Sequence, residues 1–236
     1  MLLCNPFGEE ATRAHRLCRV LASQIEAAGR SAMRFDYGCC GDSAGVSTDA
    51  TLDGWVDDVV RASEELRRAT GASQVALVGL RLGASIAALA ANRSSCRHLI
   101  LWDPVVNGAG YLHELVQMHR IYMREELGPN WRDDMRVDAE GFPLEALGSE
   151  LPTALRQGMA RIDLCRDVPR VPALTVICTH ATEPMDRLQR RLEQVPTARW
   201  MAITGGADWN SDAALNSATV PIDVVRAIVA RINEIA

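Results

Sequence analysis

An arginine stands at the position of this sequence where a catalytic nucleophile would be expected. The segment VALVGLRLGAS, residues 75–85, has the pattern of a buried strand, a turn bounded by Gly79 and Gly83, and a helix of small residues. In this strand–turn–helix context the pattern G-x-S-x-G presents a nucleophilic serine at the tip of the turn. Arg81 takes that position here, and its guanidinium stays protonated, so it is neither a nucleophile nor a useful base.

The loop after the second predicted strand holds two candidates for a relocated nucleophile. Cys40 and Ser43 lie in the segment YGCCGDS, which is rich in turn-forming residues. If Cys40 is a relocated nucleophile, its pKa must be lowered, and Arg81 is the group that would lower it. Each residue also has a non-catalytic alternative. Cys40 could be an inert, buried thiol, and Ser43 could close a turn through hydrogen bonds to the backbone.

The sequence offers acidic residues but no histidine after its last predicted strand, residues 198–203. The loop that follows that strand contains Asp208, a candidate base, and Trp209, a candidate wall of a pocket. Glu183 follows the strand that ends at Cys178 and is a candidate acid, with Asp186 as the alternative. His180 lies near the same strand end, and we expect it to contact a ligand or to be structural. Acid–base chemistry of the lyase or cyclase type through Asp208 or Glu183 is a further possibility.

Backbone donors near the turn predict a site for negative charge. The N–H of Leu82 opens a helix, and the loop near Phe7 and Gly8 supplies a second donor. Together with the Arg81 guanidinium, these groups could bind a ligand carboxylate or phosphate. The alternative is that Arg81 pairs with an acidic residue of this chain and fills the site. The candidates for that pairing are Glu9, Glu10 and Asp208.

Short apolar runs alternate with helical patterns along the chain, which predicts a parallel sheet with helices on both faces. Strands are expected at residues 1–4, 31–35, 74–78, 98–102, 173–178 and 198–203. The region from about 106 to 166 interrupts this alternation with one or two helices over residues 111–127 and a polar stretch. We interpret it as a small helical cap inserted into a single domain that covers residues 1–236.

Composition excludes several functional classes. The chain has 236 residues, of which 48% are apolar, and a formal charge of −5, which argues against a nucleic-acid-binding surface. No apolar run reaches the about 18 residues of a membrane span, and the first residues do not have the pattern of a signal peptide. The seven scattered cysteines indicate a cytoplasmic protein with reduced thiols. No spacing indicates a metal site or a cofactor motif.

Several segments together resemble the α/β-hydrolase superfamily, in its serine-aminopeptidase-like branch. NPFGEEATRAHR and RFDYGCCGDSAG resemble characteristic segments of that branch. GLRLGA, LWDPVVNGAGYLHEL and the later GFPL are most similar to the exosortase-A-system-associated hydrolases of the second type. This resemblance implies an α/β-hydrolase fold whose first strand corresponds to the family's third, so that the usual N-terminal antiparallel edge hairpin is missing.

The resemblance implies two alternative functions. In the first, the protein is an ester or thioester hydrolase or an acyltransferase with a non-standard site, because the family's Ser, acid and His positions hold no conventional triad. In the second, it is a catalytically inactive pseudo-hydrolase that binds a small molecule, anionic or acyl, at Arg81. An exopolysaccharide or protein-sorting system is the setting that the resemblance implies.

Overall fold

The computed structural model describes residues 1–128, 130–132, 135–205 and 220–234. The strands are β1 (Leu2–Cys4), β2 (Met33–Arg34), β3 (Val75–Leu80), β4 (Cys96–Trp102), β5 (Glu145–Ala146), β6 (Ser149–Glu150), β7 (Ala173–Cys178) and β8 (Ala198–Ala202). The helices are α1 (Glu9–Ala27), α2 (Leu52–Thr70), α3 (Leu82–Ala90), α4 (Gly108–Leu127), α5 (Thr153–Ala160), α6 (Glu183–Leu192) and α7 (Ile222–Asn233).

Six strands form one parallel sheet in the order β2-β1-β3-β4-β7-β8. Since successive side chains of a strand point to opposite faces, each strand contributes to two cores. Leu77 and Leu99 pack beneath α2 and α3 on one face, and Val78 and Ile100 pack beneath α1 and α7 on the other. The predicted parallel sheet with helices on both faces is confirmed.

The region between β4 and β7, which we call the cap, contains the long helix α4, the two-stranded antiparallel hairpin β5–β6 (the cap hairpin) and the short helix α5. The helix was predicted, whereas the hairpin and α5 were not. Asn107 caps α4 by accepting a hydrogen bond from the Gly110 N–H at 2.7 Å. The first turn of α4 approaches α5 so closely that a Cβ atom at Gly108 would lie 1.7 Å from the Met159 carbonyl oxygen. This contact fixes the start of α4 relative to the rest of the cap.

No helix in the described ranges is both long and apolar enough to cross a membrane.

A buried histidine lies inside the sheet. Nε2 of His98 on β4 lies 2.9 Å from the hydroxyl oxygen of Thr175 on β7. Burial, with a contribution from Arg231, lowers the pKa of His98 to about 4. The unfolded chain therefore takes up a proton at this residue near pH 6.5, whereas the folded chain does not until about pH 4.

This difference predicts a specific loss of stability in acid. The contribution of neutral His98 to the free energy of unfolding is complete above pH 6.5. It is lost as the pH falls towards 4, by up to about 3 kcal/mol. We expect urea unfolding of the His98→Gln variant to show a weaker pH dependence than the wild type over this range. His15→Gln, at an exposed histidine, is the control. Equal pH dependence of the wild type and His98→Gln would contradict the assignment.

Candidate functional site

The turn between β3 and α3 has the backbone of a sharp elbow. Arg81 has φ 52° and ψ −123°, in a region that side-chain-bearing residues rarely adopt. The elbow depends on two glycines. A Cβ atom at Gly79 would lie 2.3 Å from the Ala84 Cα, and one at Gly83 would lie 2.1 Å from the Asn5 carbonyl oxygen. The sequence therefore keeps the residues that this tight turn requires while placing arginine at its tip.

The Arg81 side chain is neutralised inside the protein. Its Nε lies 2.9 Å from Glu10 Oε1, and the two side chains are only 16% and 6% exposed. The hydroxyl of Tyr111 donates to Glu10 Oε2 at 3.1 Å, and the guanidinium carbon of Arg81 lies 5.7 Å from the centroid of the Tyr111 ring. We call these three residues the elbow cluster. Of the two sequence-based alternatives for Arg81, this geometry corresponds to the internal ion pair.

Secondary structure positions the partners of Arg81. Glu10 lies in the first turn of α1, where a helix N-terminus favours negative charge. Tyr111 lies near the start of α4, so the cap contributes to the elbow cluster. Arg81 Nη1 also donates to the Asp103 carbonyl oxygen at 3.4 Å. Elements far apart in sequence therefore converge on this one side chain.

The elbow cluster favours fixed protonation states. Burial acts to lower the pKa of Arg81, but the contact with Glu10, together with Tyr111 and Asp103, raises that pKa overall. Burial raises the pKa of Glu10, and contact with Arg81 opposes this rise. Burial and the neighbouring Glu10 both raise the pKa of Tyr111, so its hydroxyl stays protonated and donates. The guanidinium of Arg81 therefore stays protonated and cannot accept a proton from a substrate.

A second polar group lies at the ends of β4 and β7. The buried carboxylate of Asp103 accepts hydrogen bonds from the Thr179 N–H, at 2.7 Å, and from the Thr179 hydroxyl. Nδ1 of the half-exposed His180 lies 3.0 Å from the Thr179 hydroxyl oxygen and 3.5 Å from Asp103 Oδ2. Asp103 is therefore the acidic partner of His180. Glu183, which sequence analysis had named as the acid, is exposed and lies 3.8 Å from the Nε of Arg187.

The candidate nucleophiles in the loop after β2 are not activated. Burial, together with the neighbouring Cys39 and Asp36, raises the pKa of Cys40 to about 11. The expectation that Arg81 lowers this pKa is wrong, because the loop is desolvated and carries acidic residues. The Ser43 hydroxyl donates to the Asp36 carbonyl oxygen at 2.7 Å, which corresponds to the turn-closing alternative.

A cavity of about 720 Å³ lies beside the elbow, and we call it the side cavity. The loop after β1, the loop after β2, helix α2 and the cap hairpin all contribute to its wall. Its lining includes Phe7, Gly8, Cys40, Trp55, Ile86 and Glu150. Arg81, Leu82 and His180 do not line it. The structure thus separates the ligand-binding residues that sequence analysis had grouped around Arg81.

The remaining candidates fall in three places. Leu82 is fully buried, and as the first residue of α3 it has an N–H without an acceptor inside the helix. Asp208 and Trp209 lie outside the described residues. Within the residues that are described, no group of three or more His, Cys, Asp and Glu side chains is arranged to hold a metal ion.

Sequence analysis missed two partners at this site. Asp103 directly follows the apolar strand segment HLILW, at the strand end where polar residues of parallel sheets meet, and that position was a usable signal. Tyr111 gave no comparable signal, because an aromatic residue at the start of an amphipathic helix usually packs in the core.

Solved structures share this fold over nearly the whole chain. Est1E from Butyrivibrio proteoclasticus, solved with ferulic acid, has a TM-score of 0.61 at 15% identity and covers 98% of this chain and 87% of its own. A thermophilic esterase from Thermogutta terrifontis, solved with malate, has 0.62 at 18% identity, covering 99% and 89%. XC6422 from Xanthomonas campestris, described as an α/β serine hydrolase without lid, has 0.54 at 16% identity, covering 98% and 80%.

At these identities the structural similarity defines the fold. The chain has the α/β-hydrolase fold, as its sequence predicted. No protein-family profile and no curated protein sequence matches the chain.

The elbow cluster predicts strong coupling between Arg81 and Glu10. Arg81→Met leaves a buried carboxylate without its cation and is expected to lower the free energy of unfolding by about 3 kcal/mol. The double variant Arg81→Met/Glu10→Gln should recover most of this loss, because neither side chain is then charged. Chemical denaturation of the wild type, both single variants and the double variant measures the coupling.

An exposed ion pair supplies the control for this cycle. Arg93 Nη2 and Asp57 Oδ1 are 2.7 Å apart, but the side chains are 56% and 44% exposed. Arg93→Met should therefore cost less than about 1 kcal/mol. If the losses in free energy of unfolding at Arg81 and Glu10 were additive and as small as those at the exposed pair, the buried ion pair at the elbow would be contradicted.

Proposed function

We propose that this protein uses an α/β-hydrolase fold for non-covalent binding of a small molecule and does not hydrolyse it. The observation that carries the proposal is the ion pair of Arg81 with Glu10 at the elbow, where hydrolysis requires a nucleophile. A guanidinium cannot form an acyl-enzyme, and its buried carboxylate partner keeps the side chain in place.

The chemistry of the neighbouring residues supports the absence of a relocated nucleophile. The raised pKa of Cys40 leaves almost none of this thiol as thiolate near neutral pH. The Ser43 hydroxyl donates to a backbone carbonyl oxygen, and no described histidine accepts its proton. His180 and Asp103 resemble the base and acid of a triad, but neither Cys40 nor Ser43 is among their hydrogen-bond partners in the described residues.

The side cavity supports a binding role. Its volume lies within the about 300–1,000 Å³ of typical small-molecule sites. A ligand anion at Arg81 would have to displace or share the contact with the Glu10 carboxylate, so we place the ligand in the side cavity. An ester-like or acyl ligand remains compatible with the fold's esterase neighbours.

The biological setting of the proposal rests on sequence. An exopolysaccharide or protein-sorting system is supported only by the resemblance of GLRLGA and LWDPVVNGAGYLHEL to exosortase-associated hydrolases. A cytoplasmic location is supported by the seven cysteines, all of which are free thiols in the structure.

A second candidate function is an ester or thioester hydrolase, or an acyltransferase, with a non-standard site. The contact between His180 and Asp103 favours it, because a carboxylate that orients a histidine is the usual support of a general base. In this reaction His180 would activate water or an acyl acceptor directly, without a covalent intermediate.

Covalent probes distinguish a hydrolase with a relocated nucleophile from a binding protein. We expect intact-mass analysis after incubation with a fluorophosphonate, and separately with an activated acyl thioester, to show no stoichiometric adduct. An adduct that maps to Cys40 or Ser43, and that disappears when that residue is replaced by alanine, would contradict the proposal.

The second candidate needs its own readout, because a general base leaves no adduct. Hydrolysis of p-nitrophenyl acetate should proceed at the same rate with the wild type and with His180→Ala. A clear loss of rate in His180→Ala, in protein shown to be folded, would favour direct water activation over pure binding.

A further inference from the structure

The side cavity has an apolar floor and a charged rim. Phe7 and Trp55 form part of the floor, with ring centroids 5.7 Å apart, and Ile86 and Leu155 extend it. These side chains come from the loop after β1, from α2, from α3 and from α5. A ligand that fills the cavity therefore places a hydrocarbon or aromatic body against them.

The ionised side chains on the rim are carboxylates. Asp36 and Asp42 come from the loop after β2, and Glu150 comes from the cap hairpin. Among the described residues that line the cavity, His15 on α1 is the one whose side chain can become a cation. The rim therefore carries a negative potential that disfavours an anionic ligand.

These carboxylates differ from others nearby because no arginine in the described ranges forms an ion pair with them. Glu9 pairs with Arg13 at 2.8 Å, and Glu10 pairs with Arg81. Asp36 accepts a hydrogen bond from the Asp42 N–H at 3.3 Å, and Glu150 accepts one from the hydroxyl of Ser47.

None of the three rim carboxylates forms a salt bridge in the part of the chain that the structure describes. Each keeps acceptor capacity for a donor on a ligand.

We propose that the side cavity binds an amphipathic organic cation: an ammonium group held among Asp36, Asp42 and Glu150, with an apolar body on the Phe7 floor. The inference rests on the proposed binding function and adds the charge class of the ligand. Charge-assisted hydrogen bonds to the carboxylates hold the ammonium, and the apolar floor holds the body of the ligand.

A matched series of probes tests the charge class. 2-Phenylethylammonium, 2-phenylethanol and phenylacetate share a phenyl body and differ in charge. By isothermal titration calorimetry the ammonium should bind at least about tenfold more tightly than the alcohol. The anion should bind most weakly, and added salt should weaken only the preference for the ammonium.

Two variants with equal charge changes locate the site. Asp42→Asn/Glu150→Gln should reduce ammonium affinity about tenfold and leave the alcohol unaffected. Glu64→Gln/Glu193→Gln, at two exposed residues outside the cavity, is the control and should leave both affinities unchanged. Phe7→Ala should weaken the ammonium and the alcohol by the same factor.

The absence of lysine from the chain permits a direct map. A carbodiimide activates carboxyl groups, and since side-chain amines are lacking, the probe amine is the main partner for coupling. Peptide mapping should find 2-phenylethylamine on Asp36, Asp42 or Glu150 at low probe concentration. Excess 2-phenylethanol should reduce this labelling by competing for the floor.

The outcomes separate the charge class from the binding function. If the alcohol binds as tightly as the ammonium, and Phe7→Ala weakens both, the cation proposal is overturned while the binding function stands. If none of the three probes binds, the cation proposal is overturned as well. If 2-phenylethyl acetate is hydrolysed at a rate that falls in His180→Ala or Cys40→Ala, the proposed function itself fails, whatever the order of the affinities.

Discussion

The buried positive charge of Arg81 is the constraint on which the rest of the site depends. A guanidinium cannot lose its proton under ordinary conditions, so burial obliges the protein to supply a carboxylate. Glu10 supplies it from the first turn of α1, and Tyr111 on α4 supports that carboxylate with its hydroxyl. The elbow turn, α1 and α4 are held together in this way, because each carries one residue of the elbow cluster and separating these residues would leave a buried charge unpaired.

The backbone conformation of the elbow does not depend on which side chain residue 81 carries. Gly79 and Gly83 allow β3, the turn and α3 to approach closely, and these contacts do not involve the side chain of residue 81. Arginine therefore adopts a strained φ at the tip of this turn without reshaping the fold. The chain accordingly shares the fold of solved esterases over nearly its full length.

Sequence analysis predicted the sheet well because apolar runs and helical periodicity are local signals. Ala173–Cys178 was predicted with its observed ends. The cap hairpin was missed because its strands have two residues each, too few for an alternating pattern. The partners at the site are non-local: Glu10 and Arg81 are 71 positions apart, and Tyr111 and Glu10 are 101 apart. The environment of Cys40 was also beyond local reasoning, since its raised pKa depends on burial that only the fold creates.

The elbow cluster and the rim of the side cavity differ in how their charges are paired. This difference assigns a structural role to the elbow cluster and a binding role to the rim. At the elbow a carboxylate and a guanidinium neutralise each other away from solvent, which gives rigidity and leaves little charge for a ligand. On the rim of the side cavity, Asp36, Asp42 and Glu150 are exposed and have no cationic partners among the described residues, so their oxygens can accept hydrogen bonds from a ligand. Because the floor beneath them is apolar, a simple inorganic cation would leave that surface exposed to water. The combination therefore favours a ligand that carries both an ammonium group and a hydrophobic body.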